Sequence, residues 1–154
     1  MKRIFAFTLA VLLLFGLAGC GEPPVMDMDM EKLSSELLNA AGYTDIMSQL
    51  NKSVAAVLYG IDEADIDDCV VYCGTGATAE EIAIFKAADS AAAERIEKAA
   101  EQRRIQQIAA YENYVPAEVP KLEKALIKAD GSFIVYVVAG QSDAADKIVY
   151  NYVR

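Results

Sequence analysis

The chain has 154 residues, with 14 Lys+Arg against 23 Asp+Glu, no His and no Trp. That length fits one domain, and the lack of His removes Ser-His and Cys-His nucleophile pairs and histidine-ligated metal centres. A net charge of -9 argues against nucleic acid, whose phosphates are held largely by basic side chains.

At the N-terminus, Met1-Lys2-Arg3 precedes an apolar run from Ile4 to Leu14 broken only by Thr8, and Leu17-Ala18-Gly19-Cys20 follows. A charged start and an apolar stretch too short to span a bilayer comfortably predict a signal peptide over residues 1–19. Leu17 to Cys20 resembles a bacterial lipobox, in which the Cys thiol receives diacylglycerol before cleavage on its N-terminal side. Cys20 is therefore the expected lipidation site and the attachment to the extracytoplasmic face of the cell membrane. The competing readings are a stop-transfer anchor and a secreted protein with a chance cysteine. Residues 20–30 read as the lipidated Cys and a tether, stiffened locally by Pro23-Pro24, although its Met residues could equally dock on the domain. Removing Lys2 and Arg3 from the balance deepens the net charge to -11, so an anionic surface repels the rest of the chain.

Residues 31–154 are expected to form a single α+β domain. Asp29 caps a helix from Met30 to Ala41 with Leu33, Leu37 and Leu38 at helical spacing, stopped by Gly42. A short helix over Lys52 to Tyr59 is capped by Asn51, closes at Gly60, and places Val54, Val57 and Leu58 on one side. The link from Tyr43 to Leu50 is ambiguous. Ile66 to Cys73 and Glu81 to Ala87 are rich in β-branched and aromatic residues and flank Gly74-Thr75-Gly76, which predicts a hairpin. A helix starting at Ala79 competes, because Thr78-Ala79-Glu80-Glu81 fits a capping box. Asp89 opens a long helix to about Tyr114. Pro116 and Pro120 start a further helix carrying Val119, Leu122, Leu126 and Ala129. Asp130-Gly131 turns into a strand from Ser132 to Ala139, and Ser142 or Asp143 opens a last helix. The expected architecture is a small three-stranded antiparallel or mixed sheet with helices packed mainly on one face.

Leu58-Tyr59-Gly60-Ile61-Asp62, Ala79 to Lys86, then Arg103, Gln107, Tyr114, Pro116 and Gly131 with its strand resemble a family of small Gram-positive lipoproteins whose domain is one of unknown function. The resemblance covers roughly residues 30 to 150. It implies an extracytoplasmic lipoprotein with an α+β domain, and it carries over no catalytic residue.

Cys69 and Cys73 lie on one face of a strand about 13 Å apart, beyond the reach of a disulfide; two small core residues are the favoured reading, with a disulfide or a metal or redox role as alternatives. Five carboxylates in seven residues, from Asp62 to Asp68, have the oxygen density of a hard-cation site but lack the register of an EF-hand. A solvated turn with one Asp as a cap is favoured there. Gly74 to Thr78 reads as a hairpin loop rather than an anion cradle. In the long helix, positions 93, 96, 100, 103, 107, 111 and 114 form one stripe that turns polar: Ala, Ile, Ala, Arg, Gln, Tyr, Tyr. A buried Arg must be paired, so Arg103 should meet Glu80 or Glu81. The stripe is either a packing ion pair leaving the core or, with Gln107, Tyr111 and Tyr114, the wall of a groove. The sequence predicts no cofactor and no metal site. The leading functional expectation is a non-enzymatic lipoprotein module binding a protein or envelope component, and the alternative is a small-ligand or cation-binding lipoprotein serving a transporter or sensor.

Overall fold

The computed structural model describes residues 28–153. The expected signal peptide, Cys20 and the expected tether up to residue 27 lie outside the described residues. Met28 and Met30, by contrast, are buried at 8% exposure each, so the chain joins the domain core before residue 31.

Asp29 accepts a hydrogen bond from the Lys32 amide and starts α1, Met30–Ala40. Leu33 and Leu37 are fully buried on its inner side, each stabilising the fold by about 1.5–3 kcal/mol through transfer from water. The ambiguous link holds β1, Ser48–Leu50, and leads into α2, Lys52–Tyr59, capped by Asn51 and closed by Gly60 at φ +65°. A short 3₁₀ turn at Glu63–Asp65, capped by the Asp62 side chain, enters β2, Ile66–Cys73. β3, Glu81–Ala87, pairs with β2 antiparallel, so the hairpin forms and no helix starts at Ala79. Asp89 caps α3, Ser90–Tyr114. A 3₁₀ turn at Pro116–Glu118 continues into α4, Val119–Glu123, then β4, Leu126–Asp130, β5, Phe133–Val138, and α5, Ser142–Tyr150.

The sheet has five strands in the order β1-β2-β3-β5-β4, all antiparallel, where three were expected. Leu126 and Ala129 belong to β4, because α4 stops at Glu123 and the β4–β5 hairpin turns at Gly131, whose φ of +60° suits glycine. Leu126 opposes Val137 and Ala129 opposes Ile134, so apolar residues that also fit a helical stripe are used in strand register. Both free edges are protected: β1 is only three residues long, and β4 carries Lys128 midway.

Helices cover both faces of the sheet, which corrects the expectation of one covered face. On one side α2, α3 and α4 pack Ala56, Tyr59, Ile96, Ala100 and Leu122 with Val71, Ala83, Phe85, Ile134 and Tyr136. On the other side α1 and α5 pack Leu33, Leu37, Ala145 and Val149 with Val70, Ile82, Ile84, Val135 and Val137. Double coverage explains why β5 is buried at every position: its sequence, FIVYVV, is a continuous apolar run rather than an alternating one.

α2 turns over relative to expectation. Ala55, Ala56 and Tyr59 face inward, while Val54 is 46% and Val57 83% exposed. Two alanines let the helix approach β2 closely, and the same face delivers the Tyr59 ring edge-on to Phe85 at 4.9 Å.

Candidate functional site

The end of the molecule where β2 passes into β3 holds two buried acids that are consecutive in sequence, Glu80 and Glu81, exposed by only 2% and 1%. Glu81 lies in register with Cys73 on β2 and Val138 on β5, on the side covered by α2 and α3. Arg103 grips its carboxylate with two prongs: Nε donates to Oε1 at 2.7 Å and Nη2 to Oε2 at 2.6 Å. The Tyr59 hydroxyl donates to Oε1 at 2.6 Å and the Gln107 amide to Oε2 at 3.1 Å. Gln107 in turn accepts from the Tyr136 hydroxyl at 2.7 Å. The guanidinium also lies 5.3 Å from the Tyr59 ring centroid, in reach of its π face.

Electrostatics follow from this enclosure. Burial opposes the charge on Arg103, but its bonds to Glu81 outweigh that and hold the guanidinium above its ordinary range. Burial, reinforced by the nearby Glu81 charge, pushes the Tyr59 and Tyr136 hydroxyls upward. The Cys73 thiol, half-buried at the rim, is pushed up to about 12 by burial and then by Glu81. A thiol so placed is protonated at neutral pH and a poor nucleophile. Cys69 is likewise shifted upward by burial, and both thiols are free.

Glu80 is held by a different set of groups. It accepts from the Thr44 amide at 2.8 Å, the Thr44 hydroxyl at 2.9 Å, the Asp45 amide at 2.9 Å and Lys121 Nζ at 2.9 Å. Burial raises its carboxyl, yet the Asp45 amide, Lys121 and Thr44 together bring it below the usual glutamate range. Lys121 also reaches Glu118 at 3.0 Å, and Glu118 accepts from the Ala79 amide at 3.0 Å.

Together these bonds fix the Gly74–Thr78 loop from two sides. Asp45 accepts from the Thr75 amide at 2.8 Å and from the Thr78 hydroxyl at 3.1 Å. From the other side the Tyr111 hydroxyl donates to the Thr78 carbonyl at 2.5 Å. Gly76 takes a φ of +94° at the tip, as a glycine hairpin loop does. Beside the two clamps stand exposed apolar side chains: Ile46, next to Asp45, is 75% exposed, and Tyr114, whose ring centroid lies 6.2 Å from that of Tyr111, is 70% exposed.

Of the six candidate binding residues, the structure brings five into buried or half-buried polar contacts: Glu80, Glu81, Arg103, Gln107 and Tyr111. Tyr114 stays at the surface. Arg103, Gln107 and Tyr111 do not line an open groove; they close onto Glu81 and the loop as the stripe leaves the core after Ala100. Sequence reasoning missed Tyr59, Tyr136, Asp45, Thr44, Glu118 and Lys121. The Glu118-Lys121 spacing of three was the one local signal available; the others are brought together only by the sheet. In the acidic turn, Asp62 acts as the cap, Asp65 pairs with Arg95 at 2.6 Å and Asp67 with Lys86 at 3.0 Å.

The family described as Domain of unknown function (DUF4358) matches residues 39–139. The chain belongs to that family. No curated protein and no solved structure matches it. The DUF4358 match takes in all five strands, α2, α3 and α4, and so both acid clusters and the clamped loop, while most of α1 and all of α5 fall outside it.

Proposed function

We infer that the chain is a lipid-anchored extracytoplasmic module of the small Gram-positive lipoprotein type, and that it binds a protein or envelope component without catalysing a reaction. The observation that carries this reading is the clamped loop pole: Thr75, Gly76 and Ala77 are exposed, flanked by Ile46 and Tyr114, on a frame cross-linked through Asp45 and Tyr111. A hydrogen-bonded loop flanked by exposed apolar side chains loses little entropy on binding, which favours recognition of a partner surface. Glu80 and Glu81 favour a structural role, since each carboxylate already accepts several hydrogen bonds from within the chain. Acid-base work needs a proton acceptor open to substrate.

The test is photo-crosslinking in the producing cell, with a photoreactive residue at Ala77 or, as control, at exposed Lys98 on α3. A discrete adduct from position 77 that disappears with Tyr114→Ser supports the reading. Equal, diffuse adducts from both positions contradict it.

A further inference from the structure

We propose that the domain stands on the bilayer in one orientation, with the acidic turn pole facing the lipid headgroups and the clamped loop pole facing away. This rests on the lipid-anchor reading of Cys20 and adds which surface the membrane meets.

The point where the chain joins the domain decides the orientation. Met28 is buried against the α1/α5 side of the sheet, so a lipid on Cys20 is separated from the domain by eight residue steps. Even fully extended, eight steps reach no more than about 29 Å. That is comparable to the height of the domain itself, because β2 spans eight residues from pole to pole, or roughly 25 Å. Turning the clamped loop pole to the headgroups would raise the entry point by that height and hold the leash almost fully extended, which costs the chain conformational entropy.

The entry point lies at the pole opposite the clamped loop. α1 and α5 run antiparallel: the Gln141 amide, before α5, donates to the carbonyl of Ala41, after α1. At the other end, the Tyr152 hydroxyl beyond α5 donates to Glu36 and feels the charge of Asp29. Since α5 leaves from the end of β5, which lies beside Glu81, its far end and Asp29 sit toward the start of β5. There Ser132 accepts from the Ala87 amide, and Ala87 pairs with Ile66, the first residue of β2 after the acidic turn.

Charge sets how far the domain stands off the bilayer, while the entry point sets which pole is nearer. Asp62, Glu63, Asp67 and Asp68 are exposed at this pole, and carboxylates repel an anionic leaflet over about 8 Å at physiological salt. The pole therefore acts as a spacer, held near the membrane by the lipid and kept off it by its charge.

The measurement is energy transfer to an acceptor lipid in phosphatidylglycerol/phosphatidylethanolamine vesicles carrying the full acylated chain. The donor is placed on Glu63→Cys or on Ala77→Cys in a Cys69→Ala/Cys73→Ala background. Should that background fail to fold, a genetically encoded fluorescent amino acid at the same two positions keeps the native thiols. Transfer from position 63 should exceed that from position 77 severalfold, given the sixth-power distance dependence and a difference of roughly 25 Å in height. Equal or reversed transfer on vesicle-bound chain overturns the orientation while leaving the anchor intact. Chain that floats free of vesicles, with no acyl group on Cys20, overturns the anchor reading and the orientation with it.

Discussion

Glu80 and Glu81 are adjacent in the chain, both almost fully buried, and their carboxylates share no hydrogen-bond partner among the described residues. Alternation along an extended chain sends consecutive side chains in different directions, so one dipeptide secures two separate parts of the fold. Glu81 ties α2 and α3 to the sheet through Tyr59, Arg103 and Gln107. Glu80 ties the segment before β1 to α4 through Thr44, Asp45 and Lys121.

Glu80 makes stability depend on acid. Its folded carboxyl titrates below the ordinary range, so its contribution is fully present above that range and is lost as pH falls through the folded value. Denaturant unfolding of Glu80→Gln from pH 7 to pH 3 should start about 1–3 kcal/mol lower at neutral pH and decline less steeply with acid. It should not become flat, because Asp45 and Asp65 are also held low, Asp45 by its Thr75, Thr78 and Ile46 hydrogen bonds against burial and Asp65 by Arg95. An acid limb as steep as that of the wild type would contradict this.

Cys69 and Cys73 should both be recovered as alkylated thiols after unfolding without reductant. In the native state at pH 8, Cys73 should react very slowly, since its thiol is pushed up to about 12. Mass spectrometry of the unreduced protein checks both points, and a bridge between the two would be incompatible with strand register at β2.

A Cβ on Gly140 would lie 2.3 Å from the Gly42 carbonyl oxygen, closer than non-bonded carbon and oxygen atoms tolerate. Gly140→Ala should therefore push apart the segment between β5 and α5 and the end of α1, weakening the 2.9 Å Gln141–Ala41 bond. A loss of about 1–3 kcal/mol is expected, read by thermal unfolding. An unchanged midpoint would mean that this contact gives way at no cost.

The readable parts of the sequence were those with local signals. Asp29, Asn51 and Asp89 each accept from a first-turn amide of the helix they were expected to cap. Glycines at 60, 76 and 131 mark the turns by positive φ. What stayed hidden depends on distant neighbours. Leu126 and Ala129 fit a helical stripe as well as a strand, and only pairing with β5 decides between them. Val54 and Val57 suggested the inner face of α2, but the close fit of Ala55 and Ala56 turned them outward. The polar half of the α3 stripe pointed to a carboxylate for Arg103, whereas Tyr59 and Tyr136 as fellow members of that cluster carried no sequence signature.

Ile46 and Tyr114 should be dispensable for folding. The double change Ile46→Ser/Tyr114→Ser removes two mostly exposed side chains, so its unfolding free energy should stay within about 0.5 kcal/mol of wild type while the crosslink from position 77 is lost. A collapse in stability would assign these residues to the core instead.

The division between a structural Glu81 cluster and an exposed binding pole is tested most directly by the stability of Arg103→Ala. Its partner Glu81 is 1% exposed in its side chain and Arg103 16%, so removing the guanidinium strands a buried carboxylate. Equilibrium denaturation should show a loss of about 3–5 kcal/mol, much of it recovered in Arg103→Leu/Glu81→Leu, where no charge is left unpaired. Wild-type stability in Arg103→Ala, with the position 77 crosslink abolished, would contradict the account and move Arg103 into the binding surface.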